Sequence, residues 1–216
     1  MKKVIFLSLI SFFALSLSGC NYNSLTAQQQ NVRGKWSNVE SQLQRRADLI
    51  PNAFEAAKAA GVQEQEVFGQ IASARSQLLN ATSAAPAGAG GDKTPEQKQA
   101  VIDANNSFGG TIGRLLSLQE NYPTLRSNEL FLNFQNELTG TENRINVARQ
   151  DYNTAVQTYN TERSQFPGVL TASIFGFKEE PYFKAEEGSR EAPRINSNDL
   201  RRTNAPQTAP AAPAQR

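Results

Sequence analysis

Residues 127–165 read SNELFLNFQNELTGTENRINVARQDYNTAVQTYNTERSQ, and this stretch decides the fold. Its seam runs through Phe131, Phe134, Leu138, Thr141, Ile145, Ala148, Tyr152, Ala155 and Tyr159 in alternating steps of three and four, with Thr141 the one polar member. Such a seam belongs to a long helix laid at a shallow angle against other helices. The remaining faces carry charged and amide residues such as Asn136, Glu137, Arg144 and Asp151. At ~1.5 Å per residue the helix is about 60 Å long. No lone helix of that length holds in water, so the rest of the chain must supply partners.

A second long helix is expected over Asn21–Ala60, with a seam of Leu25, Val32, Trp36, Val39, Leu43, Ile50, Ala53 and Ala57. Gln29 and Arg46 fill its two polar seam slots. A buried unpaired charge is costly, so Arg46 calls for an acidic residue on a neighbouring helix, or must snorkel. Pro51 is expected to kink this helix rather than end it, and Gly61 to cap it. A third helical segment covers Val62–Ser83, with Val67, Ile71, Ala74 and Leu78 on one face. Ala84–Gly91 reads as a flexible loop by composition. Thr94, Pro95 and Gln97 then form a capping box that opens a fourth helix, running to about Tyr122, where Pro123 ends it. Its inner face is Val101, Ala104, Phe108, Ile112 and Leu115, and Gly109, Gly110 and Gly113 are expected to let a neighbour pack closely. Phe166-Pro167-Gly168 stops the long helix. Val169–Phe183 reads as irregular and aromatic, either folding back over the open end of the bundle or forming a docking patch for a partner or lipid. Short connections make successive helices antiparallel neighbours. The fold class is therefore all-α: an elongated, antiparallel, up-and-down four-helix bundle with two long helices. The Pro/Ala-rich stretch 185–216 is too poor in apolar groups to order itself and reads as a disordered tail.

The N-terminus sets the compartment. Lys2 and Lys3 precede an apolar run, Val4–Leu17, too short for a comfortable span of ~20 residues. Leu17-Ser18-Gly19-Cys20 follows and resembles a bacterial lipobox, with residues 1–19 as the signal peptide. The resemblance implies acylation of Cys20, the only cysteine, and two or three acyl chains hold a protein on a membrane. The alternative is a signal anchor kept as a transmembrane helix. In both cases the positive start stays cytoplasmic and the body lies outside, in the cell envelope. Asn21 stands where the enterobacterial inner-membrane retention signal has aspartate, which leans towards the outer membrane, though the choice between the two stays open. Without Lys2 and Lys3 the 22 basic residues fall to 20, matching 20 acidic ones, so nucleic acid is not an expected partner.

The runs Trp36-Ser37, Arg45-Arg46-Ala47-Asp48-Leu49-Ile50-Pro51-Asn52, Glu120-Asn121-Tyr122-Pro123, Gln135-Asn136-Glu137-Leu138, Glu142-Asn143-Arg144-Ile145, Ala148-Arg149, Asp151-Tyr152-Asn153, Tyr159-Asn160, Phe166-Pro167, Gly176-Phe177 and Tyr182-Phe183 together resemble the LemA family. The likeness covers about residues 22–184. It implies a membrane-anchored, extracytoplasmic, antiparallel four-helix bundle and carries no catalytic residue, cofactor or ligand. Residues 20–184 are accordingly taken as the LemA-like bundle.

Few constellations suggest chemistry. There is no histidine, which removes the usual base and the Glu-x-x-His metal pairs of bundle sites. The Gly88–Thr94 stretch fits no phosphate loop. No catalytic, cofactor-binding or metal-binding residues are expected, and no cofactor. Arg46, Asp48, Asn52, Arg149, Asn153 and Asn160 lie on the two long helices. They are candidates for a structural polar network that fixes register, or else for a polar cleft. The functional expectation is a non-enzymatic envelope protein that binds an envelope partner or itself. The alternatives are a binding module for a small or cell-wall ligand in an intra-bundle cleft, and an enzyme restricted to Asp, Glu, Lys, Arg and Tyr.

Overall fold

The computed structural model describes residues 2–88 and 92–184, with side chains from Asn21 onward. The tail 185–216 and the side chain of Cys20 lie outside the described residues. The regular structure of the described residues is all helical, with α1 Lys2–Asp48, α2 Ile50–Ala59, α3 Gln65–Ser83, α4 Pro95–Asn121, α5 Pro123–Arg126, α6 Glu129–Ser164 and α7 Gly168–Phe175. Among the described residues there is no strand, only an isolated bridge between Gly88 and Asp92. No helix among the described residues is long and apolar enough to cross a membrane.

The seam of α6 is buried as the spacing predicts, except that Ala148 is only partly buried. Phe131, Phe134, Leu138, Ile145, Tyr152, Ala155 and Tyr159 sit in the core, and Thr141 is fully enclosed. Arg144 donates to the Thr141 hydroxyl at 3.0 Å, which satisfies the polar member of the seam. The helix begins at Asn128, whose side chain accepts from the Phe131 amide. The partner seam of α1 buries Leu25, Val32, Trp36, Val39 and Leu43. The two helices run antiparallel: Lys35 pairs with Asp151 at 2.8 Å, the Trp36 and Tyr152 rings lie 5.1 Å apart, and Arg46 reaches Glu142. Helices α3 and α4 pack on each other, and α2 packs on α6.

Pro51 does more than kink the second long helix. It separates α1 from α2, with Leu49 between them. Proline has no N–H, so the Ala47 carbonyl loses its partner one turn on. Arg75 of α3 donates its Nε to that carbonyl at 2.8 Å, so the break also ties α3 to α1. Helix α2 closes in a Schellman motif: Gly61 has φ 80°, its amide bonds Lys58, and the Val62 amide bonds Ala57.

Other expectations need adjustment. The capping box of α4 forms in both directions, Gln97 N to Thr94 Oγ1 at 3.3 Å and Thr94 N to Gln97 Oε1 at 3.0 Å. However, a Cβ at Gly110 or Gly113 would meet open space, so these glycines do not admit a closely packed neighbour. The described part of the Ala/Gly loop is fastened: Lys93 donates to the Ala84 carbonyl at 2.7 Å, and Gln97 bonds both Ala85 and Ala87. Finally, Val169–Phe183 is not irregular throughout. Its first half is α7, and only the residues after Gly176 are extended.

Candidate functional site

The most organised polar constellation lies where the extended residues 177–183 run along α6. Tyr152-Asn153 recurs seven residues later as Tyr159-Asn160. Seven helical residues rise ~10.5 Å, close to the ~10 Å spanned by three extended residues. The two dipeptides therefore address the strap at a three-residue offset. Asn160 holds Glu180 by both backbone groups, donating to its carbonyl at 2.9 Å and accepting from its amide at 3.1 Å. Asn153 holds Phe183 in the same way, at 3.0 and 2.8 Å. The Tyr159 hydroxyl donates to the Lys178 carbonyl and the Tyr152 hydroxyl to the Pro181 carbonyl. Arg163 donates to the Phe177 carbonyl, and the Arg149 guanidinium lies 4.4 Å from the Phe183 ring centroid. The strap runs antiparallel to α6, with its backbone read by side chains in place of a β-strand.

Glu180 points inward from this strap. Its carboxylate meets Lys98 of α4 at 2.8 Å, and both side chains are buried. Burial pushes the Glu180 carboxyl above its ordinary value, against the opposing pull of Lys98. Burial also raises Tyr152, and pushes Tyr159 up to about 12. Arg33 and Asp92 pair nearby at 2.8 Å. A cleft of about 210 Å³ opens beside the pair, lined in part by Asp92, Lys93, Lys178 and Glu180.

Lys93 also approaches Glu40, at 3.7 Å. Burial raises the Glu40 pKa above 4.5, only partly countered by Lys93. The folded state thus holds this proton more tightly than the unfolded state does. The contribution of Glu40 to stability falls as pH rises from 4.5 through the raised folded value, then levels off. Glu40→Gln is expected to flatten that part of the curve, seen in urea titrations between about pH 4 and pH 8. An unchanged slope would show that Glu40 titrates alike in both states.

The described contacts of the six polar candidates lie in separate places. Arg46 is a hub of its own, with Nε 2.7 Å from Glu142 of α6, Nη1 donating to Asn105 of α4 at 2.9 Å, and the Phe108 ring beneath it. Asp48 accepts from Gln44 and lies 3.7 Å from Arg75. Asn52 is exposed on α2. Arg149, Asn153 and Asn160 serve the strap. Arg46→Met leaves Asn105 buried without its donor and is expected to cost about 1–3 kcal/mol. Adding Asn105→Leu should restore most of that in chemical denaturation. If Arg46→Met alone matches wild type, the hub contributes nothing to stability.

A sequence profile of the LemA family matches residues 35–196. The chain belongs to the LemA family. Two relatives of this LemA chain, the magnetosome proteins MamQ 1 and MamQ 2 of Paramagnetospirillum magneticum, are each 30% identical over 190 residues. Each alignment covers 82% of this chain and 69% of the relative. Magnetosome protein MamQ of Magnetospirillum gryphiswaldense is 27% identical over 195 residues, covering 85% of this chain and 71% of the relative. Within this LemA chain, the motifs Tyr152-Asn153 and Tyr159-Asn160 are the strap clamp. Sequence reasoning missed Lys98, Glu180 and Arg163. The exact seven-residue repeat of Tyr-Asn was the available signal for a shared partner.

Proposed function

We propose that this LemA-family protein is a non-enzymatic, membrane-anchored component of the cell envelope that acts through protein contacts on its long helices. One observation carries this reading: the side chains that most resemble a site are spent on the chain's own backbone. Asn153 and Asn160 hold strap amides and carbonyls, both tyrosine hydroxyls donate to carbonyls, and Glu180 is occupied by Lys98. Bound in this way, they build structure and leave no free acid–base pair. In the proposed arrangement α1 with α2, α3, α4 and α6 are the four members of an up-and-down bundle, held outside the cytoplasm. The domain limits proposed are residues 1–19 as leader, 20–184 as bundle and 185–216 as tail.

The anchor has two forms. The lipobox supports acylation of Cys20. The alternative keeps the leader, with its apolar run Val4–Leu17, as a membrane span. The intact mass of membrane-extracted protein separates them, since loss of residues 1–19 with added acyl chains means lipoprotein and full length means span.

Crosslinking the protein in its own cells, with Cys20→Ser as control, tests the interaction reading. A specific envelope protein attached to the outer faces of α1 and α6 supports it. Self-crosslinks make the protein its own partner, and absence of any specific adduct removes the reading. A second reading, binding of a small ligand, is favoured by the cleft beside Glu180. A ligand-dependent rise in Tm, abolished by Lys93→Ala, would support it.

A further inference from the structure

Helix α7 is built inside out. The residues it turns to the protein are small or polar: Gly168, Thr171 and Ala172. The residues it turns away are large and apolar, with Leu170 55%, Ile174 76% and Phe175 58% exposed, and Phe166 ahead of them at 81%. A helix covering its own core reverses that arrangement. A contiguous exposed apolar face marks an apolar partner.

The position of the patch identifies that partner. Gly168 lies against the turn of α1 at Asn21; a Cβ there would run into the Glu162 carbonyl and come within 3.3 Å of the Asn21 side chain. Tyr22 packs on Phe175 with centroids 4.8 Å apart and on Phe177 at 5.7 Å. Asn21 directly follows Cys20 and the apolar run Val4–Leu17, and α1 is one continuous helix through all of them. Whether the anchor is acyl chains on Cys20 or a retained span, the bilayer surface meets the chain at this end. A protein partner would have to wedge between α7 and the membrane. Tyr22 at this level is also suited to the headgroup boundary, with an apolar ring and a polar hydroxyl.

We propose that α7, with Phe166 and Tyr22, inserts its exposed apolar face into the bilayer interface and seats the helical body on the membrane beside its anchor. This rests on the membrane-anchored reading above. The test places a photoreactive benzophenone amino acid at Ile174 or Leu170 of the full chain, with Val147 of α6 as control, since it too is exposed. Cells are irradiated, membranes isolated, and adducts read by mass spectrometry, with helical content checked by circular dichroism. Phospholipid adducts at 174 and 170, several-fold above those at 147, are expected. A chain found in the membrane fraction without lipid adducts at α7 overturns the seating while leaving the anchor intact. So do adducts at 174 to a second copy or to another protein. A chain absent from the membrane fraction overturns the anchor itself, and the seating with it.

Discussion

Lys98→Met is expected to destabilise the fold by about 3–5 kcal/mol, the usual cost of removing one partner from a buried ion pair. Lys98 is fully enclosed and Glu180 nearly so, with 2.8 Å between Nζ and the carboxylate. Methionine matches the lysine stem in shape, so little of the loss comes from packing. It comes from leaving a carboxylate in an apolar site, beside Asp92, which already raises its pKa. The sign of the pH dependence follows. Without Lys98 the folded pKa of Glu180 rises further above the unfolded value. The mutant's stability is therefore best preserved at low pH, where Glu180 is protonated in both states, and is lost as pH rises through the gap. Urea denaturation at about pH 5 and about pH 8 should show the larger deficit at the higher pH. The double variant Lys98→Met/Glu180→Leu should return close to wild type, because an apolar pair of similar volume replaces a buried ion pair at little cost. A pH-independent deficit, or a double variant no better than the single, would show that the pair is not what is lost.

This pair also shows where sequence reading reaches its limit. The heptad seams of α1 and α6 were legible because burial repeats along a helix with a fixed period, and each apolar residue reports its own face. The Thr94 capping box was legible because it is local. Lys98 occupies an inward position one turn before Val101, yet a charged residue there looks like an edge residue unless its partner is known. That partner is 82 positions away, on a segment without periodicity. Arg46 was different, since its place on a strict seam demanded an acid, although nothing local identified Glu142 or Asn105. Helix α7 escaped notice because its pattern is inverted: Val169, Leu170, Ile174 and Phe175 have the composition of a core element but face outward. The family resemblance indicated which polar residues matter but not what they hold. The structure assigns Asn153 and Asn160 to a strap rather than to the helix–helix register expected of them.

Replacing both strap asparagines, Asn153→Ala with Asn160→Ala, is expected to cost about 2–4 kcal/mol, since four hydrogen bonds with a net worth of about 0.5–1.5 kcal/mol each are lost and losses on one shared strap fall short of their sum. Each asparagine both donates and accepts, which is what the backbone of an extended segment requires and what aspartate cannot supply. Asn160→Asp should therefore keep the bond from the Glu180 amide but set its second oxygen against the Glu180 carbonyl, and lose more than half of the benefit. The two sites share one strap, so their losses should not add. Once the first clamp is gone the strap already samples released states, and the second removal costs less than it would alone. Hydrogen exchange gives the local signature: amides of Glu180 and Phe183 lose protection in the double variant, while Trp36 and Ile145 in the core of α1 and α6 keep theirs. Release of the strap also withdraws Glu180 from Lys98, so the Lys98→Met deficit should shrink in the double-asparagine background. Strictly additive single-site losses, with strap amides still protected, would mean that the buried Phe183 ring and the ion pair hold the segment by themselves.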